Sequence, residues 1–467
     1  MKTPVVLENI AITGIADKGM AVGRDADGKV IFVENAVPGD IANVQLTQKK
    51  KGVHFGKVVQ LIQPSSDRVE PFCQHFGVCG GCKWQYMDYA AQLHHKYIEV
   101  ENAFRRIGKI DCPINPIIGA AQTRYYRNKL EFSFSNKRWI TDEEITQNTP
   151  IDNWNVLGFH RPGTFDKVVD IQHCYHQADP SNAIRNAIRD YVLAAQLPFF
   201  DIRKQNGWLR TLFIRTTLQG QVMVIVTLFY EDAENRIKLL NFIKQRFPQI
   251  SSLLYVINTK GNDSILDQDV VTFFGNNYIE EQLGDVKFEI GPKSFFQTNT
   301  AQAKKLYDVV VEYASLTGNE NVYDLYTGIG SIALYVSQYC KQVVGIEEVS
   351  AAIDDANKNK QRNNITNVTF YAGDVRAILT DAFAQQHGKP DIVITDPPRA
   401  GMHPDVVNML LQLAAPKIVY VSCNPATQAR DLQLLSTKYH VIKSQPVDMF
   451  PHTHHIENVA VLALRNI

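Results

Sequence analysis

Hydrophobic positions along the chain fall into three patterns, and each sets a different architecture. Between residues 1 and 61 they come in short runs, at 5–7, 10–12, 21–22, 30–33, 41–46 and 56–61. Asp17-Lys18-Gly19, Asp25-Ala26-Asp27-Gly28 and Pro38-Gly39-Asp40 separate them. Such runs divided by turn residues predict about five strands in a small barrel of the OB type. From 86 to 106, Tyr89, Leu93, Tyr97, Val100 and Phe104 recur near a 3.6-residue spacing with no Gly or Pro, which predicts a helix. Residues 115–290 read as mixed α/β with strands at 130–134, 212–215, 222–228 and 253–257; the polar, acidic stretch 141–154 reads as a loop insertion. From 291 onward, β-rich runs at 321–325, 342–346, 368–371, 391–395 and 418–421 alternate with helical stretches. That alternation predicts a parallel, doubly wound sheet. The apolar run 456–464 reads as an edge strand. The expected division is therefore 1–61, 62–290 and 291–467.

A length of 467 residues accommodates about three domains. Lys+Arg and Asp+Glu both number 48, which excludes a histone-like basic binder and an acidic disordered chain but not a local basic patch. Lys49-Lys50-Lys51-Gly52, with His54, Phe55 and Lys57 near it, is either a solvated hairpin tip or a phosphate contact beside an aromatic. No apolar run reaches the ~18 residues of a spanning helix, and residues 1–14 do not read as a signal peptide. Seven cysteines, three of them within 73–82, suit a reduced, cytoplasmic thiol set better than a disulfide framework.

In a doubly wound sheet ligands sit beyond the carboxyl ends of the strands. The first such strand runs into Asp324-Leu325-Tyr326-Thr327-Gly328-Ile329-Gly330, where glycines let backbone approach a ligand. The third glycine of the dinucleotide fingerprint is missing, and an acid precedes the turn. Glu347 ends the second strand and suits ribose hydroxyls; Asp374 ends the third and suits an adenine-side contact. Three acids at successive strand ends fit S-adenosylmethionine, whose ammonium favours them, better than a pyrophosphate. The fourth strand ends in Asp396-Pro397-Pro398-Arg399, a stiff turn holding Asp396. N-methyltransferases place an aromatic after such prolines; Arg399 stands there instead and argues for a different methyl acceptor. The fifth strand ends in Tyr420-Val421-Ser422-Cys423-Asn424-Pro425, which makes Cys423 a nucleophile candidate. Methylation of a pyrimidine carbon needs this set: a thiolate adds to C6 of uracil, C5 takes the methyl group, and a base removes the C5 proton. His452-Thr453-His454-His455-Ile456-Glu457 supplies the bases, Glu457 and the rival histidines, and the three histidines also admit a metal reading. Cys112 and Cys340 read as packing residues.

Cys73-x5-Cys79-Gly80-Gly81-Cys82 leaves little regular structure to pack, and Cys174 is the best fourth ligand for a closed four-thiolate metal site. Spacing alone leaves iron–sulfur and zinc both open, with His75, His173 and His176 as spare ligands.

Ser294-Phe295-Phe296-Gln297-Thr298-Asn299, together with the motifs at 324–330, 396–399, 422–425 and 455–459, resembles the RNA uracil-5-methyltransferase family over nearly the whole chain. The resemblance implies a Rossmann-like methyltransferase domain, an N-terminal OB-like TRAM barrel that binds RNA, and a central α/β domain holding a [4Fe-4S] cluster on Cys73, Cys79, Cys82 and Cys174. By motif, Cys423 is the nucleophile and Glu457 the base; Gln297, Tyr326, Glu347, Asp374 and Asp396 line the cofactor and base pocket. A cluster with a TRAM barrel points to the branch acting on 23S rRNA, with tRNA as the alternative. The implied partner is RNA, with a single-stranded or loop uridine flipped to Cys423 and with Arg124, Arg127, Asn128 and Lys129 in contact. A monomer is expected, and no membrane. Thr327 and Ser331 depart from the Cys and Asn common in the family, and the 141–154 insertion has no recognised counterpart. A radical methylthiotransferase fits less well, because its open cluster needs Cys-x3-Cys-x2-Cys. A non-catalytic RNA-binding protein stands against the intact Cys423 and Glu457.

Overall fold

The computed structural model describes residues 5–50 and 52–465, so Lys51 of the lysine run lies outside the described residues. β1 (Val6–Ile15), β2 (Ala21–Arg24), β3 (Val30–Glu34), β4 (Ile41–Lys50) and β5 (Val53–Gln63) close into a barrel in the order β1-β2-β3-β5-β4. Its interior is small, built on Ile10, Ile12, Ala21, Ile31, Val33 and Val44. Lys49 and Lys50 are exposed at the end of β4, and Phe55 packs its ring against Phe32.

The central sheet runs β12-β11-β10-β9-β6-β7-β8, from β6 (Lys129–Ser135), β7 (Val156–His160), β8 (Val168–Asp170), β9 (Leu209–Thr216), β10 (Val222–Leu228), β11 (Ser252–Ile257) and β12 (Val270–Gly275). β9 and β10 are buried on both faces, which is why they read as unbroken apolar runs. Helices Ser181–Ala194 and Ala233–Arg246 cover one face. Phe213, Met223, Ile225, Leu254 and Val256 on the other face enter the same core as the methyltransferase domain. In the 141–154 insertion, Thr141 and Glu144 form a capping box that starts a short helix, Asp142–Thr146.

A hairpin, β13 (Ile279–Leu283) and β14 (Val286–Ile290), precedes the third sheet and packs into the methyltransferase core. Helix Tyr89–Asn102, with the wider turn Ala103–Gly108, packs Val100, Ala103 and Phe104 on that domain's opposite side. Residues at both ends of 62–290 therefore belong spatially with 291–467. The sheet itself orders as β17-β16-β15-β18-β19-β21-β20, from β15 (Asn321–Leu325), β16 (Gln342–Glu347), β17 (Val368–Ala372), β18 (Ile392–Thr395), β19 (Lys417–Ser422), β20 (Tyr439–Val447) and β21 (Glu457–Leu464). β15 to β19 are parallel, and β21 runs antiparallel to both its neighbours. This corrects the expected edge strand at 456–464. Its first six residues are buried, whereas an edge strand exposes one side. β20 takes the edge; Lys443, Gln445 and Pro446 break its apolar pattern, and an edge tolerates that proline.

Candidate functional site

The rim formed by the carboxyl ends of these strands gathers most of the residues singled out by sequence. After β15 the chain turns through left-handed conformations at Tyr326 (φ 66°), Gly328 (φ 56°) and Gly330 (φ 78°). A Cβ on Gly330 would stand 2.7 Å from the Phe370 ring, so this glycine lets helix and sheet close together. At Gly328 a Cβ would meet nothing within 4 Å, so the backbone there faces open space. Glu347 braces the turn, accepting the Gly328 N–H at 3.1 Å and the Val349 N–H at 3.0 Å. Asp324 is buried and accepts the Thr327 hydroxyl at 2.5 Å, while its Oδ1 has no partner. Burial, then the nearby Glu347 charge, pushes its carboxyl up to about 7. Thr327 thus acts through its side chain as well as its backbone, and Ser331 shares a 3.0 Å hydrogen bond with Tyr307. Asp374 caps the short helix Val375–Ile378, and its carboxylate is engaged by the Arg376 guanidinium. Its charge still reaches Tyr326, whose hydroxyl burial and then Asp374 drive up to about 12.

The Asp396 N–H donates to the Leu325 carbonyl at 3.3 Å, which sets Asp396 beside Asp324. Burial and then the Asp324 charge raise its carboxyl well above the usual range. Cys423 follows β19 and precedes helix Pro425–Leu435, with Asn424 as its cap and Pro425 in the first turn. That position exposes a thiolate to the positive end of the helix. Asn424 also donates to the Arg399 carbonyl at 3.1 Å, locking the Asp396–Arg399 turn to the cysteine turn. The β19–β21 register pairs Ser422 with Asn458, so its next step sets Cys423 opposite Glu457. Asn458 is fixed by Gln428 and Ser444.

This corner is crowded with negative charge. Burial, then Glu457 and Asp396, push the Cys423 thiol up to about 11. Burial, then Asp396, hold Glu457 well above the carboxylate range. Arg399 opposes both shifts. Sequence reasoning noted Arg399 only as the wrong residue for stacking; its role as the cation facing Cys423 was legible only in three dimensions. The histidines sort differently. His452 is held by Gln92 and turns toward Phe72 and the cysteine segment. His454 packs on Gly19 of the barrel and against the His455 ring. Burial lowers His452 and His455 to about 4 and His454 to about 3, leaving neutral, weak bases.

Gln297 lies half-buried just before helix Thr300–Ala314. Its carbonyl accepts from Asn128, which is buried and also donates to the Thr300 hydroxyl. Asn128 therefore braces this loop. Arg124 is exposed and stacks over Phe72, 3.8 Å from the ring centroid.

Cys73, Cys79, Cys82 and Cys174 line one cavity between the 73–82 loop and the central sheet. Gly81 N–H donates to Cys79 Sγ at 3.4 Å, and Cys82 Sγ lies 3.1 Å from His176 Nε2. Burial is the first cause raising all four thiols, Cys79 and Cys82 to about 12, and repulsion from the neighbouring thiols adds to it at Cys79, Cys82 and Cys174. Among the described residues no three His, Cys, Asp or Glu side chains close to the spacing of a single metal ion. Cys112 and Cys340 pack against apolar cores away from the rim. Among the described residues, no helix is long and apolar enough to cross a membrane.

Fold and rim together define a Rossmann-like methyltransferase with an OB-like barrel in front of it. The family described as tRNA (Uracil-5-)-methyltransferase matches residues 201–465, and the TRAM domain matches residues 8–59. The chain belongs to this RNA uracil-5-methyltransferase family and is an S-adenosylmethionine-dependent enzyme. Proteins named uncharacterized RNA methyltransferases from Bacteroides thetaiotaomicron and Porphyromonas gingivalis are each 53% identical over 97% of this chain and 100% and 99% of their own. The crystal structure of Pyrococcus abyssi tRNA (uracil-54, C5)-methyltransferase with S-adenosyl-L-homocysteine superposes with a TM-score of 0.74, at 26% identity, covering 99% of this chain and 100% of that one.

Proposed function

We propose that the enzyme methylates C5 of a uridine in 23S rRNA through a covalent adduct on Cys423. The observation that carries the reading is the β19–β21 register that faces Cys423 with Glu457 beneath Asp396 and Arg399. The Cys423 thiolate, steadied by Arg399 and the helix end, adds to C6, and the ring electrons shift to C5. S-adenosylmethionine supplies an electrophilic methyl group, which C5 takes, leaving S-adenosylhomocysteine. Glu457 then removes the C5 proton, the C5–C6 double bond re-forms and the thiolate departs. The rim suits the methyl donor: Gly328 leaves open backbone, and Asp324 carries a buried oxygen without a partner. Gln297, Tyr326, Glu347, Asp374 and Asp396 frame donor and base, with Asp374 acting through its Arg376 pair.

The four thiols fit a group bound by four thiolates. Their burial keeps them protonated unless a cation compensates, and the resemblance favours a [4Fe-4S] cluster over zinc as that group. Such a cluster would tie the 73–82 loop to the central sheet. The thiol set supports the rRNA branch. A tRNA acceptor is the second reading, favoured by the Pyrococcus abyssi structure, whose name specifies uracil 54 of tRNA. Methyl transfer to purified 23S rRNA and tRNA transcripts tests the choice. Methylation of tRNA alone overturns the rRNA reading. Failure of 5-fluorouridine RNA to become linked to Cys423 overturns the covalent step.

A further inference from the structure

One cavity outside the rim is lined by charged and hydroxyl side chains as well as apolar ones. It occupies about 350 Å³, near the lower end of the ~300–1,000 Å³ of small-molecule sites. Its floor is a corner of the central sheet face that otherwise packs on the methyltransferase core. Lys129 and Glu131 stand two apart on β6, on the same side; Thr211 and Thr227 pair on β9 and β10. The Pro292–Phe295 segment forms one wall, and it runs directly into Gln297. Buried Arg215 pins that wall by donating to the Gly291 and Ser294 carbonyls, both at 3.1 Å. A braced loop therefore ties the cavity to Gln297, which the proposed function sets in the donor and base pocket, and Phe295, 65% exposed, offers a ring at its edge.

Polar groups inside it have work left over. Lys129 and Glu131 face the same space without forming an ion pair, and Asp263 is already held by Arg210 at 2.6 Å. Surrounding protein pushes the Glu131 carboxyl up and the Lys129 ammonium down, to about 8. The Thr211 hydroxyl beside Glu131 draws its carboxyl part of the way back down. An acceptor and a donor, side by side above a sheet and beside an aromatic, match the edge of a nucleobase.

Resting on the reading of the chain as an RNA methyltransferase, we propose that this cavity seats a second base of the substrate RNA, near the target uridine, and selects one with an exocyclic amino group. In adenine and cytosine the exocyclic amino group meets Glu131 while the adjoining ring nitrogen meets Lys129, and in guanine N1–H and the 2-amino group meet Glu131 together while O6 meets Lys129. Uracil presents one N–H between two carbonyls. Lys129 satisfies one carbonyl, and the other is forced against the carboxylate. The site thus discriminates by repulsion as well as by hydrogen bonding.

The test uses the full-length enzyme and whichever transcript it methylates, with each neighbour of the target replaced in turn by uridine. At one neighbour, replacement of an amino-bearing base should raise KM about tenfold or more, with kcat little changed. Glu131→Gln should erase that preference, because its amide NH2 accommodates the second carbonyl, and Lys129→Met should raise KM for every base there. The proposal is overturned if no neighbour matters, or if Glu131→Gln keeps the preference. Wild-type enzyme that methylates no RNA at all would instead overturn the functional reading beneath it.

Discussion

At the methyltransferase rim, Asp324, Asp396, Glu457 and Cys423 crowd within one corner, and the exposed Arg399 answers part of their charge from within the chain. In the cysteine cavity four thiols crowd together as well, but mutual repulsion adds to burial in holding Cys79 and Cys82 protonated. Each is a buried set of groups awaiting positive charge. The rim is carried on rigid strand ends and needs charge only transiently, as the methyl donor's ammonium and sulfonium. The cavity is carried on a loop and on one residue far along the chain, so the proposed cluster would serve to hold its shape. On the proposed roles, similar electrostatics would serve turnover in one place and architecture in the other.

Removing sulfur from each region separates the two roles most sharply. Cys423→Ala should lower methyl transfer by about 10³-fold or more while donor affinity stays near that of the wild type, measured with tritiated donor and by calorimetry. Glu457→Gln should also stop turnover, but with accumulation of a protein–RNA adduct resolved by denaturing electrophoresis; rapid turnover would return the base role to a histidine. Cys79→Ser and Cys174→Ser should act on the architecture instead. The anaerobically purified wild-type protein should hold about four irons per chain, and each variant should lose them along with thermal stability. A colourless wild-type protein with one zinc would remove the cluster from the comparison and leave only the cross-link.

Much of this contrast was legible in the sequence, because strand ends in a doubly wound sheet are fixed by the β–α alternation. Asp324, Glu347, Asp374, Asp396 and Cys423 could be placed without knowing any contact. What escaped was whatever depends on strand order. Nothing in residues 456–464 says that β21 enters between β19 and β20, yet that insertion is what faces Glu457 with Cys423. Arg399 was conspicuous only as an absent aromatic, since a cation's partners lie across the sheet. Asn128 and Lys129 are neighbours in a basic stretch, but strand alternation sends one into a buried loop brace and the other into an open cavity. The thiols were found by spacing, and their common cavity required the long connection back through Cys174.

The smallest expected effect probes the charge balance of the rim directly. Its acids and thiol are displaced upward by burial and by each other, so positive charge placed among them must bring the thiol down. The pH profile of Cys423 alkylation by iodoacetamide reports the thiolate fraction. In the free enzyme that profile should rise only at high pH, because the folded thiol lies near 11. S-adenosylhomocysteine brings an ammonium but no sulfonium, and should shift the profile slightly downward. A donor analogue with an amine at the sulfonium position should shift it further, provided solvent access to the thiol is matched with a neutral alkylating agent of similar size. Arg399→Gln should move the same profile upward, since the cation that steadies the thiolate is gone. Raising the pH converts more Cys423 to thiolate and more Glu457 to carboxylate, so turnover should rise with pH in both proteins, displaced upward in the variant. Identical profiles with the two analogues would mean that the methyl donor contributes no charge to the thiol, and that the rim, like the cysteine cavity, draws its compensating charge from somewhere else.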